Sequence, residues 1–120
     1  MNAKRIDAVL LDSSRGEALA RFYRDRLGVP LEEERHGSEP HWACFFEGIH
    51  FAIHQKEGLE GAPRNMSISF EVADVDAAVA ELRRAGVAIV LEPQDRPYGR
   101  LASIQDPDGN VIHLHRYPAR

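Results

Sequence analysis

The stretch Asp106-Pro107-Asp108-Gly109-Asn110-Val111-Ile112-His113-Leu114-His115 decides the fold. Its first five residues spell a turn: Pro107 presets φ, Gly109 tolerates positive φ, and the Asp side chains can cap nearby amides. A strand follows, because successive side chains alternate between Val111, His113, His115 on one face and Ile112, Leu114 on the other. One face is apolar and the other carries imidazoles. Gly48-Ile49-His50-Phe51-Ala52-Ile53-His54 repeats the design, with Phe51 and Ile53 on one side and His50, Ala52 and His54 on the other. Leu27-Gly28-Val29 and Ala85-Gly86-Val87 form a second pair of echoes, each closing a segment of helical periodicity. Two echoes in the same order predict a duplicated unit.

Working outward, Ile6 to Leu11 reads as a strand and Ser14 with Glu17 as a capping box opening a helix from Gly16 to Arg26. Leu31 to Arg35 reads as an edge strand, and His36-Gly37-Ser38-Glu39-Pro40 as a loop. Trp42–Phe46 and Ile49–His54 form a hairpin around Glu47-Gly48. The second copy starts near Met66, with Ile68, Phe70 and Val72 opposite Ser67, Ser69 and Glu71. Asp74 caps a helix from Val75 to Ala85. A short strand over Ala88–Leu91, a loop over Pro93–Pro97 and a hairpin from Tyr98 into the last strand complete it. The fold class is α+β: two tandem βαβββ modules, residues 1–56 and 65–120, joined by a linker over 57–64. Together they make one domain whose cupped mixed sheet carries helices on its outer face.

With 120 residues, 43% of them hydrophobic and 28% charged, the chain can bury a core without disulfides or a structural metal. No run approaches the roughly 18 apolar residues of a membrane span. The N-terminus lacks an apolar signal region and Cys44 is the single cysteine, which points to a reducing cytoplasm. A net charge of -4 with scattered Lys and Arg argues against nucleic acid.

The repeated pattern, with Phe70-Glu71-Val72-Ala73-Asp74-Val75-Asp76-Ala77-Ala78, the Leu19–Val29 segment and Asp106–His115, resembles the vicinal oxygen chelate superfamily of glyoxalases, bleomycin and fosfomycin resistance proteins and extradiol dioxygenases. The resemblance spans essentially the whole chain. It implies sheets forming a cupped pocket, usually in a homodimer, with a divalent metal in catalytic members. The metal ligands of those members map here to Asp7, Ala52, Ser67 and His113. Ala52 has no donor and a serine hydroxyl is a poor ligand for Zn, Fe, Mn or Ni.

The polar residues expected on the pocket side are Asp7, His50, His54, Ser67, Ser69, Glu71, His113 and His115. Neighbours at i and i+2 have Cα atoms ~6.5 to 7 Å apart, a spacing better suited to lining a pocket than to gripping one ion. His113 with Asp7 or Glu71 reads either as an acid–base pair or as groups satisfying each other in a wet cleft. His54 and His115 are expected to face solvent. Trp42 is read as core or as a stacking surface for a flat ligand, and Arg100 as a surface charge or an anion contact. Cys44 has no basic sequence neighbour and reads as an inert thiol.

The expected function is binding of a small organic ligand by Asp7, Trp42, His50, Ser67, Ser69, Glu71, Arg100, His113 and His115, without a metal or other cofactor and in a homodimer. The alternative is a metal-dependent lyase, isomerase or dioxygenase built on Asp7 and His113 with Glu71 or His115.

Overall fold

The computed structural model describes residues 1–35, 39–61 and 65–119. His36–Ser38 of the expected loop and residues 62–64 of the expected linker lie outside them. The chain divides into two compact units, Met1–Ala62 and Pro63–Arg120, with the division inside that expected linker.

The first unit contains β1 (Ala8–Ser13), α1 (Gly16–Asp25), β2 (Glu32–Arg35), β3 (Pro40–Phe46) and β4 (Ile49–Gln55). The second contains β5 (Ile68–Glu71), α2 (Val75–Arg84), β6 (Ile89–Arg96), β7 (Gly99–Gln105) and β8 (Val111–Arg116). The sheet orders are β1-β4-β3-β2 and β5-β8-β7-β6. In each, the first strand runs parallel to the last and the other pairings are antiparallel. The expected βαβββ duplication is therefore present, and its internal echoes have physical causes. Gly28 and Gly86 follow the two helices at φ 74° and 84°, a region that L side chains enter only with strain. Val29 N–H then returns to the Tyr23 carbonyl at 2.9 Å, and Val87 N–H to that of Leu82 at 3.0 Å.

Each helix covers one face of its own sheet. In the first unit Leu19, Ala20 and Tyr23 of α1 are buried, as are Phe51 and Ile53 of β4 and Trp42 of β3. In the second, Val75, Val79 and Leu82 are buried together with Ala102, Ile104, Ile112 and Leu114. Burying such side chains stabilises by about 1.5–3 kcal/mol each, so these two faces fix which residues must turn the other way.

Two local expectations give way. The capping box at Ser14 does not form: Gly16 N–H donates instead to Gln55 Oε1 at 2.7 Å, while the Ser14 hydroxyl donates to the Lys56 carbonyl and accepts from Leu59 N–H. A side chain from the end of β4 thus caps α1, because the chain leaving β4 engages the serine. Asp74, by contrast, accepts from Ala77 N–H at 3.0 Å as a local cap of α2. The loop expected at Pro93–Pro97 is largely strand, since β6 runs on to Arg96. The strand is an edge with register shifts between Ile89 and Leu91 and between Leu91 and Gln94. Such an irregular edge accommodates Pro93, which has no N–H to donate.

Candidate functional site

On the helix-free face of the second unit, strand register places Ser69, His113 and Ser103 side by side across β5, β8 and β7. Ile112 and Leu114 face the helix, so alternation turns His113 away from it. The His113 ring is held at both nitrogens, Nδ1 by the Ser103 hydroxyl at 2.8 Å and Nε2 by the Ser67 hydroxyl at 3.1 Å. A neutral imidazole has one donor and one acceptor nitrogen, and a hydroxyl serves either role, so both contacts are satisfied in either tautomer. Ser103 is buried, His113 half-buried, and Ser67, Ser69 and Glu71 exposed. The result is a fixed imidazole rimmed by exposed hydroxyls and a carboxylate.

One row further along, Glu71, His115 and Leu101 are cross-strand neighbours. His115 is only 7% exposed, contrary to the expectation of a solvent-facing ring. Its Nε2–H donates to the Tyr98 carbonyl at 2.8 Å, and the Tyr117 ring lies 4.2 Å from it between centroids. Position near a strand end did not expose it because the chain beyond β8 folds an aromatic over it.

The equivalent row of the first unit is Leu10, Ala52 and Ala43, across β1, β4 and β3. It has no polar side chain. His50 stands beside Phe45, with ring centroids 5.4 Å apart, and Phe45 is 77% exposed. Farther along the same face His41 and His54 approach to 5.3 Å, and His41 Nε2 lies 2.9 Å from Glu34 Oε2.

Three of the expected site residues are displaced from these faces. Asp7 precedes β1, and because Ala8 pairs with His50, alternation puts Asp7 with Val9 and Leu11 on the helix side. The sequence reading was offset by one residue. Trp42 is 6% exposed and packs on the helix side, where a Cβ on Gly16 would come within 2.7 Å of its ring. It is core and has no free face to stack on a ligand. Arg100 shares the helix-side parity of Ala102 and Ile104 and is gripped by carboxylates. Its Nε and Nη2 bond Asp76 at 2.7 and 2.8 Å, and Nη1 bonds Asp95 at 3.0 Å. Those bonds raise the Arg100 pKa, while Arg100 in turn lowers the Asp76 pKa. Ser103 belongs to the open face of the second unit but escaped the sequence reading, and Phe45 proves to be on the open face of the first and not in the core. Counting alternately from Ile104 and from Trp42 finds both.

A divalent metal fits these residues poorly. Of the positions implied by the resemblance, Asp7, Ala52, Ser67 and His113, Asp7 falls on the helix side, Ala52 has no donor and Ser67 is a hydroxyl, which leaves His113 as the ordinary donor, and both of its nitrogens are hydrogen-bonded to serines. Among the described residues no three His, Cys, Asp or Glu side chains are grouped so as to hold a metal. Burial, and then the charge of Glu32, push the Cys44 thiol pKa up, away from thiolate chemistry.

The family profile of the Glyoxalase/Bleomycin resistance protein/Dioxygenase superfamily matches residues 5–114. The chain belongs to this superfamily. It is 35% identical over 105 residues to the anthracycline biosynthesis protein DauV of Streptomyces sp. (strain C5), an alignment covering 82% of this chain and 38% of that protein. The match thus takes in well under half of DauV. It is 30% identical over 125 aligned positions to the virulence protein STM3117 of Salmonella typhimurium, covering 94% and 84%. Among solved structures it resembles TnmS3, an antibiotic binding protein from Streptomyces sp. CB03234. That likeness has a TM-score of 0.77 and 26% identity, covering 98% of this chain and 99% of the other. No helix among the described residues is long and apolar enough to cross a membrane.

Proposed function

We propose that this superfamily member binds a small planar organic molecule on the open face of its second unit, without a metal, and sequesters the molecule rather than converting it. The observation that carries the reading is the His113 ring fixed between Ser67 and Ser103. Such an imidazole is preorganised to meet a ligand hydroxyl or carbonyl through the hydroxyl network, and a ring whose rotamer is already set loses little entropy on binding. Ser69, paired with His113, and Glu71 in the next row supply further polar groups on the same face. The likeness to an antibiotic binding protein supports a small organic ligand, and the likeness to an anthracycline biosynthesis protein makes an anthracycline, a flat polycyclic molecule, the probe of choice.

The test is calorimetric titration with an anthracycline in the presence and absence of EDTA. Saturable binding unaffected by the chelator is expected, together with an affinity loss of about tenfold in Ser67→Ala, whose exposed hydroxyl contributes little to folding. Binding of Zn, Ni, Mn or Fe at one site per chain, or anthracycline binding that appears only with metal, would remove the reading.

A further inference from the structure

The second unit has a further concavity that this function leaves unused. Where the β6–β7 turn meets the chain leaving β8, a cleft of about 550 Å³ is lined by residues including Arg96, Pro97, Arg100, Arg116, Tyr117 and Pro118. That volume falls within the range of small-molecule sites. Register brings the backbones of the β6–β7 turn and the end of β8 together, with Arg96 opposite Gly99 and Arg100 opposite Arg116, and both Arg96 and Arg116 line the cleft. The junction is tight: Gly99 has φ 127°, and a Cβ there would lie 2.1 Å from the Arg116 carbonyl oxygen. Only glycine lets the turn press against the end of β8, which holds the two walls of the cleft in place.

The three arginines differ in what they have left to give. Arg100 spends Nε, Nη1 and Nη2 on Asp76 and Asp95 and acts as a strut. Arg96 makes one long contact, at 3.4 Å, to the neighbouring Asp95 carbonyl. The Arg116 guanidinium makes no hydrogen bond or salt bridge to a described side chain, although its charge acts on Asp76. Three guanidinium groups thus outnumber the two carboxylates around them, in a chain of net charge -4. Beside the arginines lie two proline rings and the Tyr117 phenol, which is 57% exposed and braced against His115.

We infer that this cleft binds a small aromatic oxyanion, a carboxylate or phosphate carried on a flat apolar body, with Arg96 and Arg116 taking the oxyanion and Tyr117 and the prolines taking the ring. A guanidinium fork matches the planar spread of carboxylate and phosphate oxygens and stacks on aromatic faces, which an ammonium does not. The inference stands on observations separate from those behind the open-face reading.

The test is a ¹H–¹⁵N NMR titration with phenyl phosphate, benzoate, inorganic phosphate and phenol in parallel. Phenyl phosphate and benzoate are expected to saturate at millimolar concentration, with amide shifts clustered over 95–100 and 116–119. Inorganic phosphate should bind about tenfold more weakly and phenol not measurably. Arg116→Ala and Arg96→Ala should each weaken phenyl phosphate by about tenfold, the loss of one charge-assisted contact, while Arg24→Ala on α1 should leave it unchanged. Both cleft substitutions are at exposed positions and should keep the fold, as the same spectra report. The inference is overturned by absence of saturation, by shifts centred on His113 instead, by phenol binding as well as benzoate, or by unchanged affinity in both cleft variants.

Discussion

The two units share strand order and helix placement, yet the central rows of their helix-free faces carry opposite chemistry. Leu10, Ala52 and Ala43 form the central row of the first, and Ser69, His113 and Ser103 that of the second. Behind both rows the faces under the helices bury an apolar set, Phe51 and Ile53 in the first unit and Ile104, Ile112 and Leu114 in the second. The contrast separates two demands on one topology. The helix side must exclude water for the sheet to persist, whereas the other side is open to divergence, so one copy has kept small and apolar groups while the other holds a hydrogen-bonded imidazole. Function in such a duplicated fold is sought where the copies differ, and stability where they agree.

The largest expected effect tests the agreement. Ile53→Ala and Leu114→Ala occupy equivalent buried positions on β4 and β8, and each should cost about 2–5 kcal/mol in denaturant titrations. A loss confined to one variant would show that only one helix–sheet interface supports the fold.

His113→Ala tests the difference. It leaves the Ser103 hydroxyl buried without its partner, a cost of about 1–3 kcal/mol. Adding Ser103→Ala reproduces the alanine pair of the first unit and should recover part of that loss, a coupling that a double-mutant cycle measures. Strictly additive losses would mean that the hydroxyl and imidazole do not depend on one another.

The caps come next. Gln55→Ala removes the acceptor that β4 supplies to Gly16 N–H, and Asp74→Ala removes the local cap of α2. Each should cost about 1 kcal/mol by chemical denaturation. If Ser14→Ala destabilised by more than Gln55→Ala, the assignment of the α1 cap would be wrong.

The smallest effect is electrostatic. Hydrogen bonding to Arg100 lowers the Asp76 pKa in the folded chain, so the pair's contribution is fully present above the ordinary carboxylate pKa and is lost as pH falls through the folded value. The melting-temperature gap between the parent protein and Asp76→Asn should therefore close as the pH is lowered from roughly 5 toward 2. A gap that widened with acid would reverse the sign of the linkage.

Much of this organisation was legible in the sequence. The alternation in β4 and β8 and the paired glycines after both helices set the duplication, because pleat and left-handed turns leave periodic marks. What escaped the sequence were features set by contacts between distant segments. Gln55 caps a helix 39 residues away, and Tyr117 folds over His115. Asp76 and Asp95 hold Arg100, which sequence alone left as a surface charge or a ligand contact. Asp7 was misplaced for a simpler reason: the parity of β1 is fixed by its pairing with β4, and a one-residue slip moves every side chain to the other face. Trp42 alternates with Ala43 and Phe45 in the same way, and its burial shows which parity belongs to the core.

The central claim is that His113, held by serines and not by a metal, is the ligand contact of the second unit. It is tested most directly by following the histidine ring nitrogens in long-range ¹H–¹⁵N spectra while an anthracycline is added in EDTA. The His113 resonances are predicted to move saturably while those of His41 and His54 stay in place. A silent His113 ring under saturating ligand, or a response that requires added divalent metal, would contradict it.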